Sequence, residues 1–244
     1  MKKHIRDFYE RLYLVGSGCA PGLGGKPLAR ELGYPDALID LLPPEVWEDF
    51  LPCGNVISRI EPKEGERVLN LGCGAGVDSI FLKMSSRASF TVVNIDTAFP
   101  ALLKARAGAL RSGLQGGFEL ICAEGGGLPF AAASFDWIIL NGVFNLFADK
   151  GELIGEMGRV LKPAGRVAGA DLCRKVTLPD YFSEVPDAWA WCMSGAVREA
   201  ELIEAFEARG FSKLELRAEA MDEFFDRAVF TFRKNGAGKH PADV

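Results

Sequence analysis

Residues 67–76 read Arg-Val-Leu-Asn-Leu-Gly-Cys-Gly-Ala-Gly, and twenty residues beyond Gly76 a second apolar run, Phe-Thr-Val-Val-Asn-Ile-Asp, ends in Asp96. Few folds accept a strand that runs into a glycine turn, a helix opened by that turn, and a second strand ending in an acid. The combination is one β-α-β unit of an α/β sheet, and it suits an adenosine-containing ligand. Glycines let the backbone approach the ligand closely, and the acid accepts hydrogen bonds from ribose hydroxyls. A dinucleotide fingerprint wants G-x-G-x-x-G, but its last position holds Val77, and Gly72, Gly74 and Gly76 follow a G-x-G-x-G spacing instead. Val77 argues against a nicotinamide oxidoreductase. An ordinary tight turn with positive φ is the plainer alternative; the strand before it and the distance to Asp96 favour a ligand site.

Apolar runs and helical periodicity alternate through the rest of the chain. Strands are expected at 67–72, 89–95, 118–123, 136–141 and 165–171, with helices at 75–86, 99–112 and 150–162. Such alternation implies a Rossmann-like α/β domain with a mostly parallel sheet and helices on both faces. A helix at 199–209 and two last strands, 213–218 and 227–233, complete a seven-stranded sheet with a C-terminal antiparallel hairpin. Residues 1–44 are read as a short helix (5–14) and a glycine-rich lid, and 45–234 as the main domain, opened by a short helix at 45–50. Within it, 172–198 is a substrate-side insertion rich in Pro and Trp, and 235–244 is a flexible tail.

On these residues the chain resembles class I S-adenosylmethionine (SAM) methyltransferases. The likeness continues through Glu119-Leu-Ile-Cys-Ala-Glu124, the following Gly125-Gly-Gly-Leu-Pro-Phe130, and Ser134-Phe-Asp-Trp-Ile-Ile-Leu-Asn141. It ends with Glu156-Met-Gly-Arg-Val-Leu-Lys-Pro-Ala-Gly-Arg166, which is similar to the family's "RVLKPGG". The resemblance implies that Asp96 takes the ribose hydroxyls, with Thr97 beside it, and that Glu124 and the Gly125 amide take the adenine. Gly72, Gly74 and Gly76 then lie against the methionine end, and Asn141 closes the cofactor set. Asn70 departs from the family's usual acid. It can still hydrogen-bond the methionyl ammonium but adds no charge attraction, so weaker cofactor binding is expected.

A narrower resemblance concerns the methyl acceptor. Leu140-Asn-Gly-Val-Phe-Asn-Leu-Phe-Ala-Asp-Lys150 is similar to the "SNCVxNLxPDK" segment of arsenite methyltransferases. Trp191-Cys-Met-Ser-Gly-Ala196 resembles their "CxxGA", and Pro52-Cys-Gly-Asn55 their "GCGNP". One cysteine from each segment holds As(III) in that family; here Cys53 and Cys192 match and the third position is Gly142. Soft metalloids prefer thiolates, and an external thiol such as glutathione, or Cys19, is a candidate for the open position. Phe144, Asn145 and Trp191 are the further substrate-side candidates. Tyr181, Glu184 and Asp171 are the nearest candidate bases, none singled out by spacing. Cys73, Cys122 and Cys173 read as small buried hydrophobes. Three rivals stay open: a methyltransferase for a small organic acceptor such as a quinone or secondary metabolite, a non-catalytic SAM-binding or metalloid-sensing protein, and the nicotinamide oxidoreductase that Val77 argues against.

Composition narrows the classes further. Of 244 residues, the two histidines, His4 and His240, lie at the termini, so neither a core histidine base nor a resident His-ligated metal is expected. Net charge is −5 with no block of like charges, against a nucleic-acid or anionic-membrane partner. No run approaches the ~20 apolar residues of a membrane span. The six scattered cysteines, without a C-x-x-C pair or export signal, suit reduced thiols in the cytoplasm.

Overall fold

The computed structural model describes residues 1–15 and 24–236; the expected lid loop with Cys19, and the tail with His240, fall largely outside the described residues. Four short helices come first: α1 (Lys2–Val15), α2 (Gly25–Glu31), α3 (Asp36–Leu41) and α4 (Pro44–Trp47). The alternating body follows as β1 (Arg67–Leu71), α5 (Val77–Ser85), β2 (Thr91–Asp96), α6 (Phe99–Arg111), β3 (Phe118–Cys122), β4 (Phe135–Asn141), α7 (Lys150–Val160) and β5 (Leu161–Arg174). Then come α8 (Pro186–Ala190), α9 (Glu199–Glu207), β6 (Phe211–Ala220) and β7 (Phe225–Lys234).

The strands form one seven-stranded sheet in the order β3-β2-β1-β4-β5-β7-β6. Strands β1 to β5 are parallel, and β7 runs antiparallel to both β5 and β6. Because β1 pairs with β2 on one side and β4 on the other, the connections after β1 and β4 leave in opposite directions. A crevice opens there, at the C-terminal ends of the strands, which is where such sheets bind ligands.

Central strands are buried on both faces, as their unbroken apolar runs require. On one face Phe206 of α9 stacks on Phe232 of β7, with centroids 4.1 Å apart and planes 5° from parallel, and Phe144 and Phe230 close the cluster. On the other, Trp47, Phe50 and Tyr34 from the N-terminal segment pack around Phe81 of α5. Those first residues are therefore part of the domain's core.

Several expectations shift. The strand expected at 165–171 begins at Leu161 and ends at Arg174: Leu161 pairs with Phe135 and Arg166 with Trp137, so Lys162–Gly165 loop out between them. Ala164 in that bulge has φ 61°. The insertion consequently starts three residues later than 172 and carries the short α8. Helices α2 and α3 were not legible; neither has a side-chain cap to mark its start. Cys122 is exposed, because β3 is an edge strand and leaves one side to solvent.

Truncating the stacked ring should be costly. Phe206→Ala is expected to destabilise the fold by about 3–5 kcal/mol, read as a lower denaturation midpoint at unchanged m-value in urea titrations.

Candidate active site

The glycine turn after β1 is built as its sequence demands. Gly72, Gly74 and Gly76 have φ of 68°, 53° and 76°, a region open to glycine and strained for other residues. Close approach adds a second constraint: a Cβ on Gly72 would strike Val143, and one on Gly74 would strike the Tyr13 hydroxyl. Asp96, at the end of β2, fastens the turn. Its Oδ2 accepts from the Gly74 amide at 2.9 Å and its Oδ1 from the Ala98 amide at 2.8 Å. Burial raises this carboxyl above the usual range, and the backbone amides oppose the rise. A carboxylate has about four acceptor positions, so two remain for a diol.

Gly72, Gly74 and Asp96 border a cavity of about 320 Å³ at the sheet's switch point. Asn70, Thr97, Glu124, Gly125 and Asn141 line it too; Gly76, also expected on the cofactor side, instead faces Ala105 and Phe118. Glu124 is exposed at the rim, whereas Gly125 is buried against the Phe147 ring. The cover comes from α1, through Ile5, Tyr9 and Tyr13, and from Phe50 and Leu51. Tyr9 fixes α1 to the insertion by donating to the Ala190 carbonyl at 2.8 Å.

Asn70 is held from beneath. Its Nδ2 donates to Ser79 Oγ at 2.8 Å, and Ser79 donates to Asn94 Oδ1 at 2.6 Å. The amide oxygen is thereby the atom presented for a ligand. Asp78, on the first turn of α5, escaped the sequence reading; its only signal was an acid just past the glycine turn. It lines the same cavity, accepting from the Tyr34 hydroxyl at 2.6 Å and from Asn141 Nδ2 at 3.0 Å. Burial lifts its carboxyl to about 6, and those two hydrogen bonds restrain the rise. Asp78 thus adds a buried acid to the cavity wall, one residue before the Ser79 that holds Asn70.

The three segments singled out for the acceptor also converge. Gly142 follows β4 with φ 67°, and a Cβ there would lie 3.3 Å from Cys53 Sγ. On its other side, Cys192 Sγ donates to the Gly142 carbonyl at 3.2 Å. Cys192 itself has φ 62°, an unusual conformation for a residue with a side chain. The Cys53 loop is pinned by Asn141, whose Oδ1 accepts from the amides of Cys53 (2.8 Å) and Gly54 (3.3 Å). Burial pushes both thiols well above their usual range, and the charge of nearby Asp171 pushes them further.

Other expectations need correction. Phe144 does not face an acceptor; it lies in the core, stacked on Phe206, because its backbone turn points into the sheet face. Asn145 is fully buried, and its amide and Nδ2 donate to Asp171 at 3.0 and 2.8 Å. Trp191 packs edge-on against Phe8 of α1, away from the cavity lining. Tyr181 is well exposed, leaving Asp171 as the buried carboxylate among the three candidate bases. Asp171 is also lifted to about 6 by burial. Cys73 borders the cavity, and only Cys173, of the three cysteines read as small hydrophobes, is fully buried.

The raised carboxyl of Asp78 has a consequence with a definite sign. Its neutral form is favoured in the fold, so this group stabilises below about pH 4 and loses that contribution as pH rises through about 6. Asp78→Asn should flatten that part of the stability–pH curve by on the order of 2 kcal/mol, measured as the wild-type-minus-variant difference by urea denaturation at pH 4.5 and 7.5.

Comparison with known proteins fits this geometry. A family model described as a methyltransferase domain matches residues 62–221. An arsenite methyltransferase of Halobacterium salinarum is 31% identical over 166 residues, 68% of this chain and 42% of that protein. A demethylmenaquinone methyltransferase of Corynebacterium kroppenstedtii is 32% identical over 45% of this chain and 43% of its own length. The chain spans about half the length of the curated relatives it matches. Among solved structures, CrArsM, an arsenic(III) S-adenosylmethionine methyltransferase from Chlamydomonas reinhardtii, superposes with a TM-score of 0.68 at 25% identity. That match covers 84% of this chain and 75% of that one. With two-thirds of its length matched by the family model and a class I sheet around the glycine turn, the chain belongs to the SAM-dependent methyltransferase domain family.

Proposed function

We propose that this protein transfers a methyl group from SAM to a small-molecule acceptor, and that the acceptor is trivalent arsenic held by Cys53 and Cys192. One observation supports the second half: segments far apart in sequence bring both thiols against Gly142, which lines the cofactor cavity although the two cysteines do not. In the arsenic reading, two protein sulfurs hold the metalloid, and the space left by the missing Gly142 side chain admits a third, external ligand such as the sulfur of glutathione.

When bound, SAM supplies an electrophilic methyl group on a sulfonium. Asp96 would hold the ribose and Asn70, with Asp78 nearby, the methionyl ammonium, while Glu124 and Gly125 would border the adenine. The apolar cover from α1 and Phe50–Leu51 excludes water. Cys53 and Cys192 fix the acceptor, and the arsenic lone pair is already a nucleophile. No protein base is required for the displacement itself, which matches a site without histidine. Positioning in line is then the protein's main contribution to rate. The five described cysteines are free thiols, in keeping with a reducing, cytoplasmic setting; no helix among the described residues is long and apolar enough to cross a membrane.

A second reading rests on the cavity's apolar side, where Leu51, Leu146 and Phe147 could receive a small organic acceptor in place of arsenic. Labelled SAM, arsenite and glutathione decide between them. Wild type should form methylated arsenic, and Cys53→Ser and Cys192→Ser should each lose at least tenfold in rate while still binding SAM. Absence of a methylarsenical from wild type would remove the arsenic reading and leave the organic one. For the cofactor site, Asp96→Ala should weaken SAM binding by 10- to 100-fold in calorimetric titration, the loss of one to two charge-assisted hydrogen bonds.

A further inference from the structure

We propose that Tyr9 is a positioning residue that ties occupancy of the cofactor cavity to the order of residues 187–193, the turn that carries Cys192. That this turn meets the methyl acceptor rests on the reading proposed above; the tie to the cofactor rests on the contacts of α1 alone.

Helix α1 presents two adjoining sides. Lys2, Ile5, Arg6, Tyr9 and Tyr13 fall on one face at helical spacing, and all of them line the cofactor cavity. His4 and Phe8 lie on the flank beside that face and meet the insertion. His4 Nε2 sits 2.9 Å from Asp187 Oδ1, and the Phe8 ring packs edge-on against Trp191 with centroids 5.5 Å apart. Tyr9 belongs to both sides. It lines the cavity, while its hydroxyl donates to the Ala190 carbonyl at 2.8 Å.

The turn in the insertion needs support of this kind. Helix α8 is 5 residues long, too short to hold itself without tertiary contacts, and no side chain caps its start. Beyond it the chain reverses tightly. The Cys192 amide donates to the Trp189 carbonyl at 3.0 Å and the Met193 amide to that of Ala188 at 2.9 Å, while Cys192 takes φ 62°. Ala190 is fully buried, so loss of the Tyr9 hydroxyl leaves its carbonyl one hydrogen bond poorer where water does not reach. The hydroxyl is not a base in this arrangement, because its proton points at a carbonyl that cannot carry it away. Burial also pushes the phenol well above its usual range, so it stays a donor at neutral pH.

A cofactor filling the cavity meets the inner face of α1 and stabilises its seat. Seated, α1 holds the turn through Tyr9, with His4 and Phe8 beside it. Such coupling is reciprocal, so order at 187–193 favours the cofactor by the same factor. The acceptor side is thereby completed once the cofactor is in place.

Amide hydrogen exchange with S-adenosylhomocysteine, the demethylated cofactor, tests this without any acceptor. In wild type, saturating S-adenosylhomocysteine should slow exchange across 187–193 by about fivefold or more. Tyr9→Phe keeps the ring and removes the hydroxyl. Without ligand it should exchange there about fivefold faster than wild type, the weight of one net hydrogen bond. S-adenosylhomocysteine should then slow it less than about twofold, and affinity for this ligand should fall by no more than the coupling factor lost. Wild-type exchange at 187–193 unchanged by S-adenosylhomocysteine, or protection in Tyr9→Phe as strong as in wild type, overturns the proposal. The wild-type result decides even where the variant folds poorly. The expected exchange pattern in a protein that forms no methylarsenical removes the arsenic reading and leaves the role of Tyr9 standing.

Discussion

The side chain of Asn141 joins the two halves of the site. Its oxygen accepts from the Cys53 and Gly54 amides, and its nitrogen donates to Asp78 and to the Gly54 carbonyl at 2.9 Å. One amide at the end of β4 therefore fixes both the cysteine loop and the acid of the cofactor cavity. The carboxylate of Asp78 is in turn held by Tyr34, whose ring packs on Phe50 and Phe81. The N-terminal helices thus form a support for the Cys53 loop as well as a cover. Gly54 shows how close that loop comes: a Cβ there would lie 2.6 Å from Val229 and 2.9 Å from Ala170.

Electrostatics around this frame are consistent with transfer of a cationic methyl group to a neutral nucleophile. Burial holds the thiols protonated and lifts Asp78 and Asp171 only to about 6, so the two acids are ionised at neutral pH in a poorly solvated region. Charged groups in such surroundings interact strongly with a sulfonium or ammonium entering the cavity. Asn145 shows how much structure lies behind one acid: it is fully buried and spends its amide and Nδ2 on Asp171.

The alternating elements and the glycine turn were legible because hydrophobic period and turn chemistry act locally. Asp96 and Glu124 were legible for the same reason, being tied to strand ends. Cys53, Gly142 and Cys192 were marked by the wording of their segments, but their convergence depends on the order β1-β4-β5 and on the path of the insertion, which no local pattern encodes. Phe144 was misread because an aromatic residue after a strand looks alike whether it turns into the core or into a pocket. Asp78 and Asp171 gave little signal, since an acid's role depends on what buries it. Short helices α2 and α3 are stabilised by tertiary packing of Leu28, Ala29 and Ile39 rather than by caps.

The central claim is that Cys53 and Cys192 together hold arsenic beside the cofactor cavity. X-ray absorption at the arsenic edge, on protein loaded with one equivalent of arsenite and no added thiol, tests it most directly. Two sulfur neighbours and one oxygen are required by the arrangement around Gly142, with one sulfur lost in either single serine variant. A shell of oxygens alone, or an unchanged sulfur count in both variants, would contradict it.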